Sequence, residues 1–330
     1  MSSFISIVLI LPAILAFSLN PTNNISSQNL ISEIQNEDSI NIRVHMTDTN
    51  KIEVIDLEEY IKGVVAAEMP AEFELEALKA QAVAARTYAV KNMLLIDENK
   101  GVNEAHITSS EKTDQAFQNK EKLKQKWDSK FDDYYTKIAM AVNTTRGLIL
   151  TYDNKPIEAY YHSTSGEKTA SAKEVWGNDL PYLQSVPCTW DTQSSRYLDN
   201  KEFSLKELEN KLNRPIEMPA SINNQSLINI LERTDSGRVA KVKIGDTVFS
   251  GQQIRELLNL RSTNFNFDLK ENKVLINTVG YGHGVGMCQY GANGQAKEGR
   301  SFKDILTYYY RDTKLTNIKD IKELDVFRNN

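Results

Sequence analysis

The spacing of apolar residues changes repeatedly along this 330-residue chain, between the two-residue period of a strand and the 3.6-residue period of a helix. Ile40, Ile42 and Val44 alternate with polar residues, and a second apolar run follows the turn-forming residues 47–51, which predicts a first hairpin. Hairpins and helices are mixed, with no regular alternation of strand and helix. The sequence therefore predicts an α+β fold, with a smaller second lobe as an option.

A pair of helices is expected directly after the first hairpin. Asp56 and Glu59 have the spacing of a capping box, and an apolar stripe follows until Pro70. A second helix, rich in alanine, is predicted over 74–95, so that two antiparallel helices pack against the hairpins. The later predicted elements are a helix at 134–145, two strands around Asp153 and Asn154, a strand at 238–244, a hairpin at 269–279 and a helix at 301–310.

The chain begins with an uncharged apolar run, Phe4 to Leu19, followed by a polar stretch. We expect residues 1–19 to be an N-terminal membrane anchor or signal, and we favour an uncleaved anchor because no small-residue cleavage site is evident. Residues 20–39 are then an extracytoplasmic linker. Residues 40–315 are the expected catalytic domain, and residues 316–330 are a C-terminal tail.

Charge and cysteine content restrict the function classes. The formal net charge is -5, and the basic residues are spread along the chain, so nucleic acid is not an expected partner. The only two cysteines, Cys188 and Cys288, are too few for a disulfide framework. Whether these two cysteines pair or remain free thiols is left open by the sequence.

Glu68 is the most informative single residue. The apolar stripe of the first helix, continued at the same period, reaches position 68, so a carboxyl group occupies a place where the pattern calls for an apolar side chain. Burial there would raise its pKa and suit it to donate a proton. The alternative is a glutamate at a helix end that reaches solvent or pairs with Arg86, which lies beside the apolar stripe of the second helix.

Two further segments carry candidate residues. Tyr161, His162 and Ser165 belong to a strand end and polar turn that resemble a carbohydrate-binding surface, although aromatic residues packed on a core give the same pattern. A glycine-rich run, 280–292, surrounds His283 and lacks the lysine of a phosphate-binding loop. Its glycines favour a tight bend or a close approach to a ligand.

Two other kinds of chemistry, a cysteine nucleophile and a metal site, have little support in the sequence. His283 and Cys288 allow a cysteine–histidine nucleophile, for which their spacing alone gives little support. The four histidines are scattered, without paired cysteine or histidine spacing, so no metal site is predicted.

Three segments in one order resemble the stage II sporulation protein D family, which are peptidoglycan lytic transglycosylases of spore-forming bacteria. They are VVAAEMPAEFELEALKAQAVAARTYAV, YYHSTSGEKTASAKEVWGNDLPYLQSVPC and GYGHGVGMCQYGANGQAKEG, and the resemblance extends over roughly residues 40–315. It implies that Glu68 is the catalytic acid and base. It further implies that the glycan groove is lined by Arg86, Tyr161, His162 and Ser165, with His283, Gln289 and Tyr290 nearby.

The resemblance also bears on cofactors. Some relatives hold zinc through cysteine and histidine in the segment between the second helix and the next strand. This chain has only His106 in that segment and no cysteine, so neither a metal nor another cofactor is expected.

The activity that the resemblance implies is cleavage of glycan strands between N-acetylmuramic acid and N-acetylglucosamine, leaving 1,6-anhydromuramyl ends. The expected substrate is strands stripped of their stem peptides, cut between the mother cell and forespore membranes during engulfment. The expected partners are stage II sporulation proteins P and M, besides the membrane. The alternative is a peptidoglycan-binding module without catalysis, because related domains occur in amidase enhancers.

Overall fold

The structure is a computed structural model, and it describes residues 39–99, 104–216, 227–270 and 273–327. The expected anchor, and the linker up to residue 38, lie outside the described residues. Within the described ranges, no helix combines the length and the apolar character needed to span a membrane. Helices pack with several small sheets of two or three strands, which confirms the α+β fold.

The first hairpin forms where it was predicted. Strand β1, Asn41–Met46, pairs antiparallel with β2, Lys51–Asp56, and its alternate residues are buried as the two-residue period requires. A short strand β3, Ile107–Thr108, pairs parallel on the other side of β1. This sheet supports the N-terminus of the first helix.

The expected helical pair follows. Helix α1, Leu57–Glu68, begins at Asp56, whose carboxylate accepts hydrogen bonds from the backbone amides of Glu58 and Glu59. It ends at Glu68 because Met69, which precedes Pro70, adopts an extended backbone. Helix α2, Leu75–Asn99, runs four residues beyond its predicted end. Glu68 is thus the last helical residue, at the C-terminal end of α1.

Helix α2 is the centre of the main core. It packs against α1, and its buried alanines let neighbouring helices approach closely. The buried alanines of α2 are Ala77, Ala80, Ala82, Ala84, Ala85 and Ala89. The other helices that complete this core are α3, Lys120–Trp127, α4, Phe131–Thr144, α5, Ala172–Trp176, α8, Gln289–Lys297, and α9, Phe302–Tyr309.

The chain beyond residue 315, the expected end of the catalytic domain, returns to the main core. Strand β4, Leu148–Tyr152, turns at Asp153 and Asn154 into β5, Lys155–Pro156. The other edge of β4 pairs with the C-terminal strand β14, Lys314–Asn317. The pairing of β14 with β4 brings the residues after β14 beside the apolar surface of the main core. Three apolar side chains are buried there, namely Ile318, Ile321 and Leu324.

A second, smaller hydrophobic core lies between residues 198 and 279, which corresponds to the expected second lobe. It consists of β7, Leu198–Ser204, α6, Leu205–Leu212, β8, Ile228–Arg233, β9, Val239–Ile244, β10, Thr247–Ser250, α7, Gly251–Leu257, β11, Phe265–Lys270, and β12, Lys273–Val279. Strands β11 and β12 pair antiparallel, so the hairpin predicted at 269–279 begins four residues earlier; its expected turn at 271–272 lies outside the described residues.

The glycine-rich run 280–292 pairs with the strand that contains Tyr161 and His162. Strand β6, Tyr161–His162, pairs parallel with β13, Met287–Cys288. Gly286 has a φ of 73°, and a Cβ atom there would lie 2.0 Å from the Tyr160 carbonyl oxygen. Glycine is therefore required at this position for the close approach of two backbones.

Candidate active site

Glu68 lies in a partly desolvated position at the end of α1. Its Oε1 accepts a hydrogen bond from the Ala116 amide at 2.8 Å, and its Oε2 accepts one from Gln289 Nε2 at 3.3 Å. Burial raises the pKa of Glu68 to about 7, and the two hydrogen bonds only partly offset that effect. The carboxyl group is therefore both protonated and ionised in substantial amounts near neutral pH, as the sequence pattern anticipated.

The structure corrects the placement of Arg86, which was expected in the glycan groove or beside Glu68. Its side chain is fully buried, and its Nε and Nη2 donate to the two carboxylate oxygens of Glu58 at 2.9 and 2.6 Å. Its Nη1 donates to the Leu148 carbonyl. Glu58 lies at the opposite end of α1 from Glu68, ten residues or about 15 Å along the helix. Arg86 therefore joins α1, α2 and β4 inside the core.

Glu68 stands where two adjoining cavities meet. The larger has a volume of about 750 Å³ and the smaller about 370 Å³. Both are lined by Glu68 and four other residues, namely Ala67, Ser163, Arg196 and Gln289. We call the two cavities together the groove, because an extended ligand lying through both would pass over Glu68.

Aromatic side chains line both parts of the groove. Those of the larger cavity are Tyr88, Tyr160, Tyr161, Trp176 and Tyr281, and those of the smaller cavity are Trp127, Tyr134 and Tyr290. Flat rings of this kind pack on apolar faces of a ligand while their polar atoms accept and donate hydrogen bonds. The aromatic part of the lining suits a hydroxyl-rich chain with apolar faces.

Most of the remaining candidates from the sequence are found in the groove. Tyr161, His162, His283 and Gln289 line the larger cavity, and Tyr290 lines the smaller one. Ser165, the exception besides Arg86, is fully buried behind the groove wall. Its hydroxyl donates to His162 Nε2 at 2.7 Å, because His162 Nδ1–H is directed at the Val285 carbonyl oxygen at 3.1 Å. Ser163, two residues earlier, faces the groove instead.

The two groove histidines are poor proton donors. Burial lowers the pKa of His162 well below its usual value, and the positive charge of Arg238 adds to the effect. Burial also lowers the pKa of His283 to about 4, with a further contribution from Arg255. Both rings are neutral near neutral pH, so Glu68 is better matched to general acid chemistry than either histidine.

A cysteine–histidine nucleophile is not assembled. Cys288 is fully buried, and its Sγ contacts Asp191 Oδ2 at 3.4 Å and the Ser163 carbonyl at 3.5 Å. His283 Nδ1 accepts a hydrogen bond from the Val285 amide instead of facing the thiol. Burial raises the pKa of the Cys288 thiol well above its usual value, which disfavours the nucleophilic thiolate. Cys188 and Cys288 are both buried free thiols.

The segment that follows α2 carries a single histidine. Its histidine, His106, is buried, and its Nδ1 accepts a hydrogen bond from the Arg43 amide at 3.0 Å. Among the described residues, the metal-ligand types converge elsewhere, at Cys188, Asp191 and Cys288.

Several groove residues had no signal in the sequence. The Ala116 amide and Gln115 come from a polar stretch without periodicity; Gln115 Oε1 accepts a hydrogen bond from the Tyr161 hydroxyl at 2.8 Å. Arg255 comes from α7 of the second core. These residues reach the groove only through tertiary packing, so local pattern could not identify them.

The chain is similar in sequence to known sporulation proteins. A family model described as stage II sporulation protein matches residues 45–152, and a domain of unknown function matches residues 189–286. The stage II sporulation protein D of Bacillus amyloliquefaciens is 40% identical over 291 residues, which cover 88% of this chain and 81% of that protein. The corresponding protein of Bacillus subtilis is 39% identical over 293 residues, with the same coverage.

A more distant relative is the amidase enhancer of Bacillus subtilis. It is 30% identical over 308 residues, which cover 78% of this chain and 40% of that longer protein. The first two relatives match this chain over most of both sequences, with both the family-model segment and Glu68 inside the compared region. The chain therefore belongs to the stage II sporulation protein D family.

Proposed function

We propose that this protein is a lytic transglycosylase that cuts peptidoglycan glycan strands between N-acetylmuramic acid and N-acetylglucosamine. Membership of a sporulation family supports a role in peptidoglycan remodelling. The observation that carries the specific reaction is the position of Glu68, a partly desolvated carboxyl group with a pKa of about 7 at the junction of two cavities.

A single carboxyl group is enough for this reaction. Glu68 in its protonated form donates a proton to the glycosidic oxygen that leaves. It then accepts the proton from the 6-hydroxyl of the N-acetylmuramic acid residue, whose oxygen attacks its own anomeric carbon. The product is a 1,6-anhydromuramyl end, and no water is consumed. A hydrolase would instead need a second carboxylate to activate water or to act as nucleophile.

The other carboxylates of the groove are occupied or exposed. Asp114 accepts hydrogen bonds from the Tyr88 hydroxyl at 3.0 Å and the Thr108 amide at 2.9 Å. Glu72, in the smaller cavity, accepts one from the Tyr134 hydroxyl at 2.5 Å. Glu111 is exposed to solvent. The hydrogen bond from the Tyr134 hydroxyl lowers the pKa of Glu72, so Glu72 does not duplicate the role of Glu68 as a proton donor, which supports the one-carboxylate reaction.

The cations of the larger cavity favour strands without stem peptides. Arg255 is half-buried on α7, and among the described residues no carboxylate lies within ion-pair distance of it. A partly desolvated guanidinium is stabilised by an anion. Removal of the stem peptide leaves a free lactyl carboxylate on N-acetylmuramic acid, whereas an attached peptide converts that carboxylate into a neutral amide. Arg255, with Arg196 nearby in the lining, suits the stripped strand.

The cellular setting is also part of this proposal. The apolar run Phe4 to Leu19 would hold the domain at the membrane, outside the cytoplasm, between the mother cell and forespore membranes. There it would act with stage II sporulation proteins P and M during engulfment. Removal of stem peptides by an amidase would supply the strands that fit the groove.

The test is the Glu68→Gln variant, assayed on purified stripped glycan strands. Mass spectrometry of the products is expected to show anhydromuramyl ends for the unmodified protein and a loss of about 10²- to 10⁴-fold in the variant, because the amide cannot donate the proton. Binding in a sedimentation assay is expected to remain. Glu53→Gln, at an exposed position on β2, is the matched control.

A second candidate function is a glycan-binding module that enhances a partner amidase, which the similarity to the amidase enhancer supports. The same assay separates the two functions. Retained binding without anhydromuramyl products from the unmodified protein would favour the module, and equal cleavage by the Glu68→Gln variant would refute the proposed role of Glu68.

A further inference from the structure

The only two cysteines of the sequence meet in the buried core, although they lie far apart along the chain. The Sγ atoms of Cys188 and Cys288 and a carboxylate oxygen of Asp191 lie within 4.8 Å of one another. All three residues are fully buried. We call this group the thiol–carboxylate cluster. Cysteine sulfur and carboxylate oxygen are both ligands that proteins use to bind zinc.

Asp191 supplies a second, independent observation. Its Oδ2 accepts hydrogen bonds from the Ser165 and Gly166 amides at 2.7 and 3.0 Å. Its Oδ1 is also buried, yet among the described residues no donor reaches it. A buried carboxylate oxygen without a partner is costly, and a cation bound at this carboxylate would compensate for that cost.

We propose that Cys188, Asp191 and Cys288 bind one structural Zn²⁺ ion. Zinc bond lengths of about 2.3 Å to sulfur and about 2.1 Å to oxygen place tetrahedral ligand atoms about 3.6–3.8 Å apart, which the cluster reaches with small side-chain adjustments. The Tyr309 hydroxyl lies beside the cluster, 3.4 Å from Cys188 Sγ. A disulfide would use the two sulfurs and leave Asp191 Oδ1 unpaired, whereas a cation engages all three residues.

The surrounding charge supports a divalent cation. Two thiolates and one carboxylate carry three negative charges, and zinc neutralises two of them. The third is balanced by the buried guanidinium of Arg238, which interacts electrostatically with Asp191 and Cys288. Arg238 is fixed beside the cluster because it donates hydrogen bonds to the carbonyls of Lys168 and Ser165.

A metal ion at this position would stabilise the segments that form the wall of the groove. Asp191 holds the turn at Ser165 and Gly166, and Cys288 is the N-cap residue of α8. The next residue, Gln289, donates to Glu68 Oε2. The ion would therefore tie together the turn after β6, the loop at 188–191 and the start of α8, and so hold Gln289 against Glu68.

Metal content of the full chain tests the proposal. The protein is purified without a metal-affinity tag, in reducing buffer with zinc, and analysed by native mass spectrometry and elemental analysis. About one zinc ion per chain is expected. The Cys188→Ser/Cys288→Ser and Asp191→Asn variants are expected to lose at least about tenfold of the bound zinc. Asp235→Asn, an exposed aspartate between β8 and β9, is the matched control and is expected to retain the metal.

A second measurement uses only the unmodified chain, so it tests the proposal even if the variants fail to fold. Removal of zinc from the unmodified chain by a chelator is expected to lower its melting temperature by about 5 °C, and added zinc is expected to restore it. A chain that binds no zinc with both thiols free, a mass two hydrogens lower that reveals a disulfide, or zinc retained after loss of both cysteines would each overturn the proposal. These readouts do not depend on glycan cleavage.

Discussion

At the scale of single residues, the carboxyl group of Glu68 combines two opposing influences. Desolvation favours its protonated form, whereas hydrogen bonds from Ala116 and Gln289 favour its ionised form. The result is a group that can donate and later accept a proton near neutral pH. Each of these influences has a consequence that can be measured.

The first prediction concerns pH. Because Glu68 must be protonated to act as the acid, kcat/KM on stripped strands should be constant below pH 7 and fall about tenfold per pH unit above it. Gln289→Leu removes a hydrogen bond that lowers the pKa of Glu68, so the fall should begin at a higher pH. Kinetic pH profiles of both proteins provide the measurement.

Gln252→Leu, which removes an exposed glutamine of α7, is the control and should leave the profile unchanged. A fall that begins at lower pH in Gln289→Leu would contradict the prediction.

The raised pKa of Glu68 also makes the stability of the fold depend on pH. Because the pKa is higher in the folded than in the unfolded protein, Glu68 adds to the free energy of unfolding below pH 4.5, and this addition is lost as the pH rises through about 7. Stability of the Glu68→Gln variant should fall less over that range.

At the scale of elements, the buried pair of Arg86 and Glu58 joins the two helices to β4. Arg86 donates to both carboxylate oxygens of Glu58, and Glu58 Oε1 also accepts from the Gly147 amide at 3.2 Å. A buried ion pair of this kind matters for stability mainly because removal of one partner leaves the other as an uncompensated buried charge. The pair therefore fixes the orientation of α1, and with it the position of Glu68 at the helix end.

The corresponding prediction is that Arg86→Ala lowers the free energy of unfolding by about 3–5 kcal/mol, because Glu58 would remain buried and unpaired. Denaturant unfolding provides the measurement. Lys241→Ala, which breaks an exposed pair with Glu232, should cost less than about 1 kcal/mol. The double variant Arg86→Met/Glu58→Leu should recover part of the loss, and a loss equal to that of Arg86→Ala would contradict this explanation.

The elements themselves could largely be predicted from sequence. Alternation at 40–46 and the stripe from Leu57 to Val65 identified β1 and α1, since burial of one face imposes those periods. The predicted ends of helices were less accurate where the sequence has no capping residue or proline, as at the end of α2. The strand β3 was missed because two residues are too few for a period to be visible.

At the scale of the whole molecule, the C-terminal residues complete the main core, and the second core contributes a wall of the groove. Arg255 and Leu260 belong to that second region and line the larger cavity, opposite the residues of the main core. The groove is thus shared between two hydrophobic cores. Its shape depends on how both are packed together.

The prediction at this scale is that a chain ended at residue 315 is strongly destabilised, because half of β14 and three buried apolar side chains would be lost. Leu324→Ala alone should cost about 2–5 kcal/mol in unfolding free energy, since Leu324 is fully buried. Leu198→Ala, at a 63% exposed position, is the matched control and should cost little. Equal melting temperatures for the two variants would show that the domain ends earlier.

The sequence by itself determined the main elements, the family and the choice of Glu68, because period, capping and motif are local properties. Tertiary structure alone decided that Arg86 pairs with Glu58, that Ser165 lies behind the groove wall, and that Ala116 and Arg255 reach the site. It also brought Cys188 and Cys288 together. Helical spacing shows which side chains share a face, but which partner meets that face depends on the packing of segments distant in sequence.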